Sequence, residues 1–203
     1  MALACNCPVP TTMATIITEL EPCDVNFGQT QKMIYWRAGN TISIASAVLE
    51  ATWTGLLAAT DDTKAVVSPF IGAPTSDGGE PIEFGSGNEV RNGIPIIIGS
   101  EPITFDAMMY GAEQSVILLF KALMCEDLEV ILINSDGKFG ARVVGTAMSG
   151  FPITSLFVGD KKLGGYDSPD TNALKWRFKP NWSDNFSIVD PTDNFNALTL
   201  INL

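Results

Sequence analysis

The sequence predicts a mainly β fold of the α+β kind, in which a β-sandwich or barrel carries one flanking α-helix, a long loop and an N-terminal arm. Two observations lead to this prediction. Many short apolar segments rich in β-branched residues are separated by glycine, proline and aspartate. One longer segment, Thr104 to Gly145, contains the clearest helical pattern of the chain and its clearest hairpin signal.

The helical pattern predicts a helix from Asp106 to Cys125. Apolar residues recur there at spacings of three and four, which gives a helix one wide apolar face. They are Met109, Ala112, Val116, Leu119 or Phe120, and Leu123. Either Thr104 or Asp106 is expected to cap the start of this helix, and the acidic pair Glu126-Asp127 is expected to mark its end.

A β-hairpin is predicted directly after the helix. The β-branched run Leu128 to Asn134 is followed by Ser135-Asp136-Gly137, and Lys138 to Thr146 then returns. An Asp-Gly step between two apolar runs is a strong local signal for a hairpin. A calcium-binding loop was the alternative for this turn, but Lys138 stands at its fifth position and no glutamate occupies its twelfth, so the turn is favoured.

The remaining segments are predicted in chain order. An N-terminal arm covers residues 1–22 and includes a short strand from Met13 to Leu20, and a short helix is expected near Ala47 to Ala58.

A long loop runs from Ile71 to Gly93 and carries a short strand or hairpin arm at Pro81 to Phe84; loops of this length are usually functional or disordered. Further strands are predicted at Gln31–Gly39, Lys64–Phe70, Ile94–Gly99 (at a sheet edge, because of Pro95), Phe151–Asp160, Asn172–Pro180, Phe186–Asp190 and Asn196–Asn202.

Composition favours one domain spanning residues 1–203 that forms oligomers. The chain has 203 residues, enough for one large β-rich domain, and nothing in it reads as a linker between domains. Hydrophobic residues make up 46% of the chain, and charged residues only 17%, below the usual quarter. Because so few charges leave apolar surface to cover, we expect contacts between copies of the chain.

No catalytic, cofactor-binding or metal-binding residue is predicted, so the chain is not expected to be an enzyme. The chain has no histidine, which excludes serine and cysteine nucleophiles activated by histidine within the chain. Carboxylate pairs suited to a glycosidase were weighed and interpreted as solvated loops and strand faces. These pairs are Glu80/Glu83, Asp61/Asp62, Glu126/Asp127/Glu129 and Asp167/Asp170.

The four cysteines are interpreted as reduced thiols. Cys5, Cys7 and Cys23 lie near the N-terminus, and Cys125 closes the predicted helix, where we expect it to be buried. A four-thiolate zinc site was the alternative, but the paired C-x₂-C spacing is absent. No role is assigned to the three N-terminal cysteines.

The charge of the chain bears on its partners. The net charge is −11, which repels nucleic acid, so we expect no specific DNA binding. Five of the twelve basic residues are Lys161, Lys162 and the stripe Lys175/Arg177/Lys179, which we expect to meet the acidic surface of a neighbouring copy, with a nucleic-acid strip as the alternative. No apolar run approaches the about 18 residues that a membrane helix needs, so no membrane partner is expected.

Several longer phrases of the sequence together resemble virion proteins of tailed bacteriophages that infect Bacteroidetes-type hosts. This resemblance covers most of the chain and lies in the order of the phrases rather than in one diagnostic motif. The phrases are Cys23–Arg37, Thr52–Ile71, Gly87–Phe105, Leu123–Gly140 and Lys175–Asn202.

The resemblance implies a tail-tube subunit, a β-sandwich with one flanking helix and a long loop. Such subunits stack as rings, commonly hexameric, and the 71–93 loop and the N-terminal arm would then reach the next ring. An acidic lumen would let DNA pass without binding. The partners implied are copies of the chain and other virion proteins, with synthesis in the host cytoplasm and a final place in the virion tail; the alternative is another virion part, such as a head decoration, connector or baseplate protein.

Overall fold

The computed structural model describes residues 27–85, 94–192 and 194–202. These residues divide into two compact units, one containing 80–85 and 94–101 and the other 27–79 and 102–202. The predicted arm at 1–22, the Met13–Leu20 strand, Cys5, Cys7, Cys23 and the end of the long loop lie outside the described residues. The prediction of a single domain over 1–203 stays a prediction.

The fold is mainly β, as predicted, and every strand pair within it is antiparallel. The strands are β1 Thr30–Arg37, β2 Ile42–Ser43, β3 Val66–Val67, β4 Ile71–Asp77, β5 Pro81–Phe84, β6 Ile96–Ser100, β7 Thr104–Tyr110, β8 Leu128–Asn134, β9 Phe139–Val144, β10 Ala147–Ser149, β11 Phe151–Lys162, β12 Thr171–Phe178 and β13 Phe186–Val189. The helices are α1 Ile44–Ala47, α2 Glu50–Ala58 and α3 Gln114–Leu123, with a 3₁₀ turn at Ala197–Thr199.

Eleven strands of the larger unit form one continuous sheet, and the long strand β11 joins its two parts. We call the first part the central sheet and the second part the outer sheet. The central sheet contains β1, β3, β8, β9, β10, β2 and β13, and the outer sheet contains β4, β7, β12 and β11. The strand β11 pairs with β8 at Phe151↔Val130 and then leaves for the outer sheet, where it pairs with β12 from Ile153↔Phe178 to Lys162↔Thr171. The sandwich expected from the sequence is therefore built on one continuous chain of strand pairs.

Two hydrophobic cores lie on opposite faces of the central sheet. Along β1, Met33 and Tyr35 enter the first core, whereas Ile34 and Trp36 enter the second. The strand β8 alternates in the same way. The predicted β1 strand is confirmed, but all four of these side chains are buried, because β1 is covered on both faces.

The first core fills the space between the two sheets and is closed by α3. Tyr35 packs edge-to-face against Phe120 of α3 at 5.7 Å between ring centroids. Phe105 of β7 stacks on Trp176 of β12 at 4.3 Å. Aromatic pairs at these separations contribute roughly 0.5–1.5 kcal/mol beyond the area that they bury. The flanking helix thus shares this core with both sheets.

The second core is covered by α1, α2 and the C-terminal residues. Trp53 of α2 stacks near Trp36 at 6.1 Å, and its indole N–H donates to the backbone oxygen of Ala47 at 2.8 Å. The buried ammonium of Lys32 donates to the backbone oxygens of Leu198 and Leu200 at 2.8 and 3.0 Å. The C-terminal residues are therefore tied to β1.

The predicted hairpin from Leu128 is confirmed, with a turn of defined geometry. The side-chain oxygen of Asn134 accepts from the backbone N–H of Asp136 at 3.0 Å and of Lys138 at 2.8 Å. Gly137 has φ +80°, a conformation that costs glycine little. The oxygen that a calcium loop would offer to the metal is thus used within the turn.

The helix predicted from Asp106 was wrong in its first half. Residues 104–110 form the strand β7, in which Phe105, Ala107 and Met109 are buried while Met108 and Tyr110 face outward. The helix begins at Gln114, after Glu113 as N-cap without a side-chain cap bond, so neither predicted cap is used. Met109 fits both the period of two in β7 and the helical spacing of three to Ala112, which is why the sequence pattern extended too far.

Four smaller predictions also need correction. The long loop begins with a strand, β4, although the predicted strand at Pro81–Phe84 is confirmed as β5. Of the predicted Lys64–Phe70 strand only Val66–Val67 pairs. The predicted C-terminal strand is replaced by the 3₁₀ turn, because Asn196 accepts from the N–H of Leu198 at 2.9 Å. Cys125 is exposed rather than buried, because α3 ends before it.

Candidate assembly surfaces

Three of the carboxylates considered for catalysis, Asp61, Asp62 and Glu126, lie around one recess and make polar contacts there. Arg37 binds Glu126, with 2.7 Å between Nε and Oε2, and also binds Asp62. Its hydrogen bond and charge lower the pKa of the Glu126 carboxyl. The hydroxyl of Thr63 and its backbone N–H both donate to Asp61, the N–H at 2.9 Å. These two hydrogen bonds lower the pKa of the Asp61 carboxyl. These contacts join β1, the turn after α2 and the end of α3.

In each of the other two acidic pairs, one residue makes a local hydrogen bond. Asp170 accepts from the N–H of Gly164 at 2.9 Å within a loop. Glu80 accepts from the N–H of Glu101 through its backbone oxygen at 2.8 Å, beside the strand that carries Glu83. Within the part of the chain that the structure describes, no three His, Cys, Asp or Glu side chains are placed to hold a metal ion. No helix there is long and apolar enough to cross a membrane.

Glu129 is a buried carboxylate, 6% exposed, on β8. One oxygen accepts from the N–H of Gly39 at 3.2 Å, while the other has no hydrogen-bond partner within the described residues. Burial raises the pKa of the Glu129 carboxyl, against the opposing effects of backbone N–H groups of Gly39 and Gly150. Glu129 therefore lies beneath the protein surface, beside the indole of Trp36.

The predicted basic stripe is present on β12, although part of it is neutralised. Leu174, Trp176 and Phe178 are buried, and the alternate residues face outward. Lys175 pairs with Asp106 of β7 at 3.0 Å. In the β11–β12 pair, Lys161 lies opposite Asn172 near one end, whereas Arg177 lies opposite Thr154 near the other. The five basic residues therefore form two groups rather than one patch.

The smaller unit presents an apolar surface on a two-stranded ribbon, β5 with β6. Its pairs run from Pro81↔Ser100 to Phe84↔Ile96. Large apolar side chains on and beside the ribbon are exposed, with exposed fractions of 40 to 67%. They are Ile82, Phe84, Ile94, Ile97 and Ile98. Exposed apolar surface of this kind is typical of surfaces that bind a partner.

The outer sheet also exposes apolar side chains on the face away from the core. Met108, Tyr110 and Phe157 are 40 to 50% exposed there. The ring of Tyr110 lies directly over Gly72 of the edge strand β4, where a Cβ atom would be 2.0 Å from the ring. The edges of this sheet are irregular, since Ala73 on β4 and Ser155 on β11 have positive φ at register shifts. Such bulges discourage pairing with a further strand.

The sequence identified the glycine-rich segment before the ribbon but not the exposed apolar surface itself. The sequence predicted an edge strand at Ile94–Gly99 because of Pro95. Among the described strands, β6 pairs with β5 alone. An apolar run of this kind does not show whether its own chain covers it.

Solved chains similar to this one include two from gene transfer agent particles. No protein-family model matches the chain, and no curated protein matches it. One similar chain belongs to the tail of an empty GTA particle with C6 helical symmetry, with 13% identity, coverage of 59% of this chain and 86% of that chain, and a TM-score of 0.33. The other belongs to the virion of a native gene transfer agent particle, with 13% identity, coverage of 58% and 83%, and a TM-score of 0.33. At these values the likeness carries no argument about function.

Proposed function

We propose that this chain is a structural, non-enzymatic protein of a tailed-phage virion, and more narrowly a tail-tube subunit. In this proposal copies of the chain assemble into stacked rings, six to a ring, located in the virion tail. The proposal follows the resemblance of the sequence phrases to phage virion proteins. It also assigns a use to the apolar surface of the ribbon.

The exposed ribbon is the observation that supports self-assembly. Its five large apolar side chains are at least 40% exposed in the isolated chain. Apolar surface removed from water contributes roughly 25 cal/mol for each Å². Covering the ribbon with another copy therefore stabilises both the ribbon and the assembly.

The charge of the chain supports passage of DNA without binding. With a net charge of −11, a ring of six copies would be strongly acidic. Phosphate groups are repelled by such a surface, and the repulsion reaches about 8 Å at physiological salt. The proposed lumen would therefore conduct DNA and release it freely.

Negative-stain electron microscopy of the purified full chain tests the proposal. We expect rings or stacked tubes from the parent protein, and loss of stacking when a charge is placed on the ribbon by Ile97→Glu. The matched control is Ile201→Glu, since Ile201 is 66% exposed and lies outside the ribbon. The four tryptophans lie outside the ribbon, so their fluorescence shows that the larger unit of each variant is folded.

A parent chain that remains monomeric at high concentration, across low and high salt, would refute self-assembly. Discrete closed particles without stacking would instead favour another virion part over a tube. Equal loss of stacking in the Ile201→Glu control would show that the ribbon has no special role.

A further inference from the structure

The loop between β11 and β12, residues 163–170, holds two apolar side chains out in water; we call it the Tyr166 loop. Leu163 is 76% exposed and Tyr166 is fully exposed. Large apolar side chains this exposed bury little of their surface within their own chain, so they are available to a partner. Aromatic side chains such as tyrosine are also enriched among the residues that dominate binding between proteins.

Hydrogen bonds within the Tyr166 loop hold its backbone in place, and with it the points from which these side chains extend. The N–H of Gly164 donates to Asp170 at 2.9 Å, and that of Gly165 donates to Ser168 at 3.2 Å. The chain passes so close to itself that a Cβ on Gly164 would lie 1.9 Å from the backbone oxygen of Ser168. A braced loop loses little conformational entropy when it binds.

A recess between β1, the turn after α2 and the start of β8 has the size of one or two side chains; we call it the Arg37 recess. Its volume is about 280 Å³, below the usual range of about 300–1,000 Å³ for small-molecule sites. Apolar groups of Tyr35, Val66, Leu123 and Leu128 line it. Its size and lining therefore suit an apolar side chain better than a cofactor.

The rim of the recess is complementary in charge to the base of the Tyr166 loop. Three carboxylates and two cations surround the recess: Asp61, Asp62, Glu126, Arg37 and Lys64. Asp62 is 88% exposed in its side chain. The Tyr166 loop is preceded by the exposed cations Lys161 and Lys162. An approach that brings these lysines to the rim therefore places opposite charges together.

The loop and the recess are separate surfaces of the larger unit and have no lining residue in common. Leu123 at the end of α3 and Leu128 of β8 line the recess, whereas the loop follows Lys162 at the end of β11. Two different surfaces that complement each other bind copies of a chain head to tail, which produces rings or open stacks.

We infer that Leu163 and Tyr166 of one copy insert into the Arg37 recess of a second copy. This inference rests on the proposed self-assembly and adds to it one of the contacts between copies. The apolar side chains fill the recess, while Lys161 and Lys162 meet the carboxylates of its rim. Each copy uses its loop toward one neighbour and its recess toward the other.

Two variants and their mixture test the inference by sedimentation velocity on the full chain. The loop variant is Leu163→Ala with Tyr166→Ala, and the recess variant is Thr60→Trp, which fills the recess from its own rim. We expect each variant alone to associate at least about tenfold more weakly than the parent chain. Combined with Ile97→Glu, which removes the proposed ribbon contact, the two variants when mixed retain one intact loop and one intact recess between them, so they form one-to-one dimers that do not grow further.

Matched controls are Ile201→Ala for the loop and Thr54→Trp for the recess, both at exposed positions elsewhere. These should assemble as the parent does, and near-ultraviolet circular dichroism should show all variants folded. Parent-like assembly of either test variant, or a mixture with no dimer, overturns this inference while the proposed function stands. A parent chain that does not assemble overturns both.

Discussion

Glu129 shows how a single residue can make the stability of this protein depend on pH. Its carboxyl is buried beside the Trp36 indole, and Arg142 is the cation whose charge acts on it. Gly150 is required beside it, since a Cβ there would lie 2.7 Å from the Cβ of Glu129. The group is thus enclosed by the turns that join the strands of the central sheet.

The raised pKa of Glu129 predicts a stability that falls as pH rises. Between the pKa of the unfolded chain and the higher pKa of the folded chain, the folded state holds more protons, so increasing pH favours unfolding. Above the folded pKa the full penalty is present, whereas below the unfolded pKa it is absent. Glu129→Gln should therefore raise the melting temperature at pH 7, by about 2–4 °C for each kcal/mol recovered, and the gain should shrink toward pH 4.

Differential scanning calorimetry between pH 4 and pH 8 measures this effect. The control is Glu101→Gln, because Glu101 is exposed and the same change of charge should leave no pH-dependent gain there. A gain for Glu129→Gln that is constant across this range would contradict the role of its ionisation.

Individual elements differ in how much of their structure the sequence could predict. The β8–β9 hairpin was predictable because its turn is local: Asn134 and Gly137 determine it within a few residues. The start of α3 was not, because β7 is defined by pairing with β12 and β4, which are distant in sequence. The C-terminal turn depends likewise on Lys32, more than 160 residues away.

The assembly surfaces were predictable only in part, for a related physical reason. An apolar run such as Ile94 to Ile98 records that the residues need burial, but not whether their own chain or a partner supplies it. The alternation on β12 did predict its basic face, because period two is a local property of a strand. Complementary features such as the Tyr166 loop and the Arg37 recess emerge only from the folded chain.

Two glycines provide a paired test of the elements that contain them. In the hairpin turn, Gly137→Ala would force an alanine to φ +80° and place its Cβ 2.2 Å from the side-chain oxygen of Asn196, which is held by the N–H of Leu198. We expect a loss of at least about 1 kcal/mol in the free energy of unfolding. In α2, Gly55 has nothing within 4 Å, so Gly55→Ala should add roughly 0.5–1 kcal/mol.

Urea denaturation, followed by tryptophan fluorescence, measures both changes. Each of the two glycine-to-alanine variants serves as the control for the other, since their expected effects on the free energy of unfolding have opposite signs. Stabilisation by Gly137→Ala would show that the turn does not hold its described conformation.

At the scale of the whole molecule, the two cores and the assembly contacts have separate tasks. The larger unit buries its aromatic residues around the central sheet. The ribbon, the outward face of the outer sheet and the Tyr166 loop expose apolar groups, which other copies cover in the proposed assembly. A subunit arranged in this way can change its contacts with neighbours without changing either core, because different side chains serve the two purposes.

The shared strands β1 and β8 have a consequence for how the larger unit unfolds. Successive residues of each strand belong to different cores, so loss of either core removes the support of the other. The two cores should therefore melt as one cooperative unit. The test adds Ile34→Ala to the Ile97→Glu variant, which is expected not to stack. We expect one transition at a lower melting temperature, with equal van't Hoff and calorimetric enthalpies. Two separated transitions would show that the cores fold independently.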